Sequence, residues 1–403
     1  MNDPEPEFLP VPGVRLGSAA AGIKYSDRDD LVVMELAEGS RCAAVFTRNA
    51  FCAAPVIVAR EHLQAQAPRY LLINSGNANA GTGDTGLRAA REACRALAAA
   101  RGVAIDQILP FSTGVIGEDL PVNRIAVAVP AALTALSATG WPAAARAIMT
   151  TDTVPKLCSR QFEHQGHRLT VTGMAKGSGM IRPDMATMLA YLATDAEVAP
   201  TLLQACLEQA VEPSFNSITV DGDTSTNDAC VLVATGAAGA PAIQDAGSEA
   251  CGLLYHAVRA VCMELASAIV RDGEGATKLV AIQVTGAADR AEARRVAYTV
   301  AHSPLVKTAL FAADPNWGRI LAAVGRAGVE GLVVDRVEIW LDAVRIVRDG
   351  GRDPDYREAA GQAVMDQDAF TIRVVLGRGE AEARVLTCDL SYDYVRINAE
   401  YRT

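Results

Sequence analysis

Residues 176–192 bring together side chains that could cut a peptide bond and then use the new amino terminus for catalysis. The segment opens with Lys176, passes through a glycine-containing loop at 177–179 and reaches Ala186 and Thr187 just before a hydrophobic run. Glycines allow the backbone to approach a ligand closely, and the apolar residues that follow would fix Thr187 at the start of a core strand. We predict that the chain cleaves itself between Ala186 and Thr187.

A threonine hydroxyl is a weak nucleophile near neutral pH and needs a base. The sequence has five histidines, and we find no Ser-His-Asp arrangement and no Gly-x-Ser-x-Gly motif. The amine that cleavage would expose on Thr187 titrates near pH ~8 and lies next to its own hydroxyl, so it can serve as the base. The alternative is that Thr187 is simply a β-branched residue at the start of a strand.

A second chemical signal follows a predicted strand at 108–111, where the chain continues as Ser112-Thr113-Gly114. A hydroxyl beside a glycine N–H at a strand end can form a two-donor pocket for an oxyanion, although many strands end in Thr-Gly. The Asn- and Gly-rich residues 75–83 fit a surface connection and a cleft-lining loop equally well. The hydroxyl cluster at 150–153 fits a helix cap or turn better than a site.

Two further loops invite a ligand interpretation. Residues 221–228 begin like a calcium loop, but Thr226 and Leu232 stand where that motif requires glycine and glutamate, so we exclude it. Residues 271–278 contain the residues of a phosphate loop in the wrong order. Glu274 stands there between two glycines, which leaves its carboxylate open to a ligand amine, although an exposed turn explains the same residues.

Composition excludes several classes of protein. The formal net charge is −10 without a basic block, which argues against a nucleic-acid partner. The amino terminus lacks a secretory signal, and the Ala-rich segments near 90–104 and 126–147 are interrupted by arginines or prolines before they reach membrane-spanning length. His164 and His167 flank a Gln-Gly turn and indicate no metal site. We expect a cytoplasmic protein that binds no metal, nucleic acid or membrane.

The length of 403 residues predicts two domains or one large α/β unit with lobes. Alternating apolar segments predict an α/β fold with largely antiparallel hairpins. The predicted strands are 31–36, 43–47, 55–59, 70–74, 108–111, 169–174, 185–193, 217–220, 229–234, 278–285, further strands within 329–347, and a pair at 370–376 and 380–388. The predicted helices are 86–100, 123–136 with a kink or break at Pro130, 142–149, 200–211, 248–270, 291–310 and 355–365.

Five separated motifs, taken together, resemble the ornithine acetyltransferase family, also described as glutamate N-acetyltransferase. The resemblance extends from about Gly13 to Thr403. The motifs are 176–192, Ser112-Thr-Gly-Val-Ile-Gly117, Thr150-Thr-Asp-Thr153, Asp314-Pro-Asn-Trp-Gly-Arg319 and Asn398-Ala-Glu-Tyr-Arg-Thr403. Their number and order favour membership over chance agreement.

This resemblance implies roles for individual residues. It implies that the chain is cut into an α chain, 1–186, and a β chain, 187–403, and that Thr187 is acetylated by N2-acetylornithine and passes the acetyl group to glutamate. Thr113 and Gly114 match the oxyanion pair. The substrate-binding positions are matched by Thr150, Lys176, Thr187, Glu274, Asn398 and Thr403. Thr151 and Thr153 are neighbours of Thr150 and leave that one assignment ambiguous.

The resemblance also implies a two-domain layered α/β fold related to self-cleaving aminopeptidases, and a dimer of αβ pairs. It implies no bound cofactor, with acetyl-CoA as an optional second acetyl donor on which the residues are silent. Asp184 departs from the expected asparagine near the cleavage site. Two rival hypotheses stay open: an aminopeptidase that releases acyl groups to water, and a non-catalytic small-molecule-binding relative.

Overall fold

The computed structural model describes residues 8–182 and 188–400. The chain divides into two compact units, one formed by residues 1–216 and 224–269 and the other by 217–223 and 270–403. Each unit combines helices with a largely antiparallel sheet arrangement, so the predicted α/β class is confirmed.

The first unit contains two sheets. Its strands are Val14–Ala19 (β1), Leu31–Leu36 (β2), Arg41–Phe46 (β3), Tyr70–Asn74 (β4), Ile108–Ser112 (β5), Lys156–His164 (β6), His167–Lys176 (β7), Leu189–Thr194 (β8) and Ala229–Ala234 (β9). Its helices are Ala54–Ala65 (α1), Gly83–Arg101 (α2), Val122–Thr134 (α3), Trp141–Ala147 (α4), Pro200–Val211 (α5) and Glu249–Arg271 (α6), whose last two residues belong to the second unit. The sheet orders are β1-β2-β4-β5 and β3-β9-β8-β7-β6.

These elements form four layers. One hydrophobic core lies between the two sheets, where the rings of Phe111 and Tyr191 meet edge to face at 5.3 Å. A second core lies between the β1-β2-β4-β5 sheet and helices α2 and α3. On the far side of the other sheet, Gly173 of β7 lies so close to α6 that a Cβ would stand 2.8 Å from Val261. The layers therefore run helix, sheet, sheet, helix, as expected for sheets that each bury both faces.

Helix α6 is long and apolar enough to cross a membrane by length and composition. Half of its most apolar window is buried inside the protein, with Leu254, Val258 and Leu265 at most 1% exposed. These properties are typical of a core helix.

The second unit contains one six-stranded sheet with the order β13-β12-β11-β14-β10-β15. Its strands are Leu279–Ala287 (β10), Glu338–Leu341 (β11), Val344–Arg348 (β12), Gly351–Arg352 (β13), Ala369–Val375 (β14) and Ala381–Cys388 (β15). Its helices are Arg290–Ala301 (α7), Pro304–Phe311 (α8), Trp317–Gly325 (α9), Glu358–Met365 (α10) and Tyr392–Glu400 (α11). A continuous hydrophobic core joins the sheet to α7, α8, α9 and α10.

Four element predictions are wrong. Residues 55–59, predicted as a strand, lie in α1, because Pro55 in the first turn starts a helix and a short apolar run fits either element. The single helix at 291–310 is two helices, since Ser303 caps α8 and Pro304 begins it. Residues 217–220 contain one isolated bridge, Ile218 to Leu386, and no strand. The predicted pair 370–376 and 380–388 is separated by β10.

Other differences are smaller. Pro130 lies within α3 without ending the helix. The sequence interpretation missed β1, β6, β13, α9 and α11, whose apolar patterns are absent, short or mixed with charged residues. His164 and His167 pair across the turn that joins β6 to β7, which confirms the predicted turn.

Candidate active site

The Thr113-Gly114 turn follows the carboxyl end of β5. Gly114 in this turn has a backbone conformation that favours glycine. Gly114 has a φ of +133°, and a Cβ there would lie 2.3 Å from the carbonyl carbon of Gly76. The Thr113 N–H donates to the Asn74 carbonyl oxygen at 3.0 Å, which fixes the turn on the end of β4. Close packing against the neighbouring loop therefore requires glycine at position 114.

This turn presents the two donors that the oxyanion hypothesis needs. The Thr113 hydroxyl lies on a half-buried side chain, and the Gly114 N–H donates no hydrogen bond to any of residues 8–182 and 188–400. Preorganised donors of this kind stabilise developing negative charge best when the protein holds them rigidly.

Residues 75–80 form the support of that turn and are buried, whereas Gly81 and Gly83 are exposed, so a surface connection describes only the end of this segment. The Asn77 amide donates to the carbonyl oxygens of Glu118 and Asp119 at 3.2 Å, and its Oδ1 accepts the Asn79 N–H at 2.7 Å. The backbone of Asn77 also bridges to Thr113. The asparagines satisfy backbone groups that would otherwise be buried without partners.

Asn227 braces the same turn from another part of the chain. Its side-chain amide donates to the carbonyl oxygen of Ala78 at 2.6 Å and to that of Ser112 at 2.9 Å. Sequence reasoning considered this residue only as part of a rejected calcium loop. Its partners lie 149 and 115 residues away, and no local pattern indicates such contacts.

Lys176 ends β7 and is 8% exposed. Its ammonium donates to the hydroxyl oxygen of Thr150 at 2.8 Å and, through a long contact of 3.4 Å, to that of Thr113. The structure thus brings together three residues that the sequence nominated separately. Thr150 is the member of the 150–153 cluster that contacts Lys176 in the described hydrogen bonds.

Asp152 and Lys156 are buried charged residues beside Lys176 that the sequence interpretation did not single out. Asp152 Oδ1 accepts hydrogen bonds from Lys156 Nζ and from the Gly177 N–H, both at 2.7 Å. Burial by itself would raise the pKa of the Asp152 carboxyl, but the charges of Lys176 and Lys156 and these hydrogen bonds lower it below its ordinary value. Asp152 is therefore a carboxylate at neutral pH.

Asp228 precedes β9 and behaves in the opposite way. Its side chain is buried, and its Oδ2 has no hydrogen-bond partner in the described parts of the chain. Burial raises the pKa of the Asp228 carboxyl well above its ordinary value, opposed by a hydrogen bond from Ser225 and by the charge of Lys176. Asp228 therefore keeps its proton to a higher pH than an exposed aspartate.

In the second unit, Glu274 is 8% exposed and its Oε2 accepts a hydrogen bond from the Asn398 amide at 2.7 Å. The sequence nominated both residues, and the structure brings them together. The loop that carries Glu274 is tied to the segment before α11, because Asp389 accepts hydrogen bonds from the backbone N–H groups of Thr277 and Lys278 at 2.7 and 2.9 Å.

The cleavage-site residues Ala186 and Thr187, together with Asp184 and Thr403, lie outside the described residues. Within residues 8–182 and 188–400 we find no cluster of His, Cys, Asp and Glu that could hold a metal ion. The described groups can supply hydroxyl, amide and ammonium donors in the first unit and a buried carboxylate in the second. These are groups that recognise an oxyanion, a carboxylate and an ammonium.

Comparison with known proteins gives consistent matches along the chain. Residues 15–403 match the model of the ArgJ family. The arginine biosynthesis bifunctional protein ArgJ of Methylococcus capsulatus is 64% identical over 98% of this chain and 97% of its own length. The protein of that name from Pseudomonas fluorescens is 58% identical over 99% of this chain and 98% of its own length. A solved ArgJ structure from Bacillus halodurans is 40% identical and covers 52% of this chain and 97% of its own, with a TM-score of 0.49.

Proposed function

Because the chain belongs to the ArgJ family of arginine-biosynthesis acetyltransferases, we propose that it transfers an acetyl group from N2-acetyl-L-ornithine to L-glutamate. The products are L-ornithine and N-acetyl-L-glutamate, so the acetyl group is recycled. The observation that supports this most directly is the Thr113-Gly114 turn with Lys176 against it, since acyl transfer needs an oxyanion pocket and both substrates carry a carboxylate.

The nucleophile is Thr187. Its hydroxyl loses a proton to its own α-amine and attacks the acetyl carbonyl, and the negative charge on oxygen is stabilised by the Thr113 hydroxyl and the Gly114 N–H. Collapse of this intermediate returns the proton to the departing ornithine nitrogen and leaves an acetyl ester on Thr187. The glutamate amine, in its neutral form, then attacks that ester, the bond from the acetyl carbon to the Thr187 oxygen breaks, and the proton released by the amine passes through the Thr187 α-amine to the threonine oxygen. This regenerates the threonine, so the sequence is ping-pong.

The substrate-binding residues divide by charge. Each substrate offers a carboxylate to Lys176 and Thr150, whose hydroxyl and ammonium are hydrogen-bonded to each other. N2-acetylornithine also carries a side-chain ammonium, which suits the buried carboxylate of Glu274 with Asn398 beside it. Thr403 completes the binding set in this proposal.

The precursor matures by cutting itself between Ala186 and Thr187. The Thr187 hydroxyl attacks the Ala186 carbonyl, and the peptide nitrogen leaves with a proton as the free α-amine of Thr187, which gives an ester between Ala186 and the Thr187 oxygen. Water then opens this ester and releases the Ala186 carboxylate and the Thr187 hydroxyl. The α chain, 1–186, and the β chain, 187–403, then stay associated, and two such pairs form a dimer.

Acetyl-CoA is proposed as a second acetyl donor, because the relatives that this chain matches are named as bifunctional. A steady-state assay with acetyl-CoA and glutamate tests this part separately. Formation of N-acetylglutamate supports it, and a rate no greater than that of a Thr187→Ala variant rejects it.

The main test combines processing with transfer. Purified protein is incubated with N-acetylornithine and glutamate, and the products and chain lengths are measured. We expect N-acetylglutamate, two bands on a denaturing gel, and a new amino terminus that begins Thr-Met-Leu-Ala. The Thr187→Ala control should stay intact and inactive.

Other outcomes separate the rivals. Release of acetate without N-acetylglutamate would indicate an aminopeptidase-like hydrolase. A wild-type chain that stays intact and inactive while it binds ornithine would indicate a non-catalytic binding protein.

A further inference from the structure

We propose that Asp152 is a positioning residue that holds the Lys176 ammonium against the hydroxyls of Thr113 and Thr150, so that both hydroxyls face substrate as donors. This inference rests on the proposed acetyl transfer and adds a residue to its machinery. Asp152 acts through Lys176 and does not itself contact the substrate.

The Asp152 carboxylate ties together the two segments that carry the binding groups. Its Oδ2 accepts the Thr150 N–H at 3.1 Å, which fixes the 150–153 turn. Its Oδ1 accepts the Gly177 N–H at 2.7 Å, which fixes the backbone directly after Lys176. The Lys176 ammonium lies 3.9 Å from Oδ2. One carboxylate thus fixes both segments and attracts the ammonium.

The direction of the hydrogen bonds gives this arrangement its chemical value. An ammonium has three N–H donors and no acceptor. When Lys176 donates to the hydroxyl oxygens of Thr150 and Thr113, each hydroxyl must point its own hydrogen elsewhere. The Thr113 hydroxyl then acts as a donor to an oxyanion beside the Gly114 N–H. A neutral Lys176 could accept a hydrogen bond from either hydroxyl and remove a donor from the site.

The charge of Asp152 favours the protonated state of Lys176, because the carboxylate lies 3.9 Å from the ammonium. Lys156 lies 2.7 Å from the same carboxylate, with 1% of its side chain exposed, so it is a second buried positive charge. The charge of Lys176 also acts on Asp228, where burial raises the pKa of the carboxyl well above its ordinary value. Without the Asp152 charge, two ammonium groups would share a buried region, which favours loss of a proton.

The first test is the pH profile of Asp152→Asn. The amide oxygen can still accept a backbone hydrogen bond, but the negative charge is lost. We expect kcat/KM for N-acetylornithine to fall about 10- to 100-fold and its alkaline limb to move to lower pH by about one unit or more. Adding Lys156→Met to this variant removes the repelling charge and should move the limb back towards the wild-type position. A purely structural role would lower the amount of active protein and leave the limb in place.

A second test does not depend on turnover. Acetic anhydride modifies the neutral form of an amine, and peptide mass spectrometry measures its reaction at Lys176 over a pH series. We expect Lys176 of Asp152→Asn to react about tenfold faster than that of the wild type at the same pH, as a shift of one unit requires. Equal rates would overturn the proposal. If Asp152→Asn does not fold, the Lys156→Met variant is measured alone. Lys176 in Lys156→Met should react with acetic anhydride more slowly than Lys176 in the wild type. An equal or faster reaction would refute the proposal.

The two levels of hypothesis fail differently. If the wild type makes no N-acetylglutamate, the proposed function fails. If the wild type transfers acetyl groups while Asp152→Asn keeps its pH limb and its Lys176 reactivity, only the role of Asp152 fails.

Discussion

The side-chain amide of Asn227 donates a hydrogen bond of 2.9 Å to the carbonyl oxygen of Ser112, the residue that precedes the candidate oxyanion turn. The same amide reaches Ala78, in the loop that supports the turn. One side chain therefore links three segments that are distant in sequence.

Asn227→Ala should loosen this turn. Two buried carbonyl oxygens lose their donor, which costs about 1–3 kcal/mol of stability, and the acetyl-transfer rate should fall by more than the loss of folded protein explains. The control is Asn49→Ala, because the Asn49 amide donates to the Thr224 carbonyl oxygen at 2.9 Å and makes no hydrogen bond to Ala78 or Ser112 within the described residues. Equal effects on kcat in the two variants would contradict a specific role for Asn227.

Gly114→Ala should nearly abolish transfer. A Cβ at this position meets the backbone of Gly76 and Asn77, which cannot move as a side chain can. Displacing an oxyanion donor lowers kcat about 100- to 1,000-fold. The kcat of Gly114→Ala is measured with saturating substrates. Gly252→Ala in α6 is the matched control, because its Cβ would meet nothing within 4 Å and the helix should gain stability.

Glu274→Gln should weaken the binding of N-acetylornithine. The variant keeps the shape and a hydrogen bond to Asn398 but loses the charge that attracts an ammonium. We expect KM for N-acetylornithine to rise roughly 10- to 100-fold, with a smaller change in kcat. Glu382→Gln, an exposed residue on β15, is the control. Unchanged KM values would rule out Glu274 as the ammonium-binding group.

Asp228 should make the protein less stable as the pH rises. Below the pKa of an unfolded aspartate, ~4, the carboxyl is protonated in both states. Above it, the folded state keeps a proton that the unfolded state has released, because burial raises the pKa of Asp228 in the folded protein. The free energy of unfolding should therefore fall by about 1.4 kcal/mol per pH unit until the folded-state pKa is reached.

Asp228→Asn removes this contribution, and urea unfolding at a series of pH values measures it. The stability of the variant relative to the wild type should increase from pH 4 upwards. Asp223→Asn changes an exposed carboxyl in the same loop and should show no such trend. A difference that stays constant with pH would show that Asp228 is ionised in the folded protein.

The sequence was sufficient to predict those elements whose position depends on a local pattern of residues. Helix α5 and strands β2, β4 and β9 have the predicted bounds, because each has a clear apolar pattern with turn residues or proline at its ends. The Thr113-Gly114 turn and Lys176 were nominated from their residue types. Their contact at 3.4 Å joins residues 63 positions apart and needed the fold.

Long-range polar contacts explain most of what the sequence did not predict. Asp152 is an unremarkable residue of a Thr-rich turn until β6 and β7 bring Lys156 and Lys176 to its carboxylate. Asn227 likewise bonds to Ser225 and Thr226 in its own loop, and these local contacts do not indicate its bonds to Ala78 and Ser112. The helical state of residues 55–59 was missed for a different reason, since five apolar residues fit both periodicities.

The order β3-β9-β8-β7-β6 has a consequence for a chain that is cut before β8. Strands β8 and β9 would belong to the carboxyl-terminal product, yet β7 and β3 of the amino-terminal product flank them on both sides. The two products would be interleaved, and neither would keep the sheet by itself. After unfolding, the mature protein would have to refold by association of two chains, whereas the uncut precursor refolds as one chain. The lifetime of the mature protein would therefore depend on its unfolding rate and on protein concentration. An uncut Thr187→Ala chain should recover after dilution from denaturant far more completely than the mature pair.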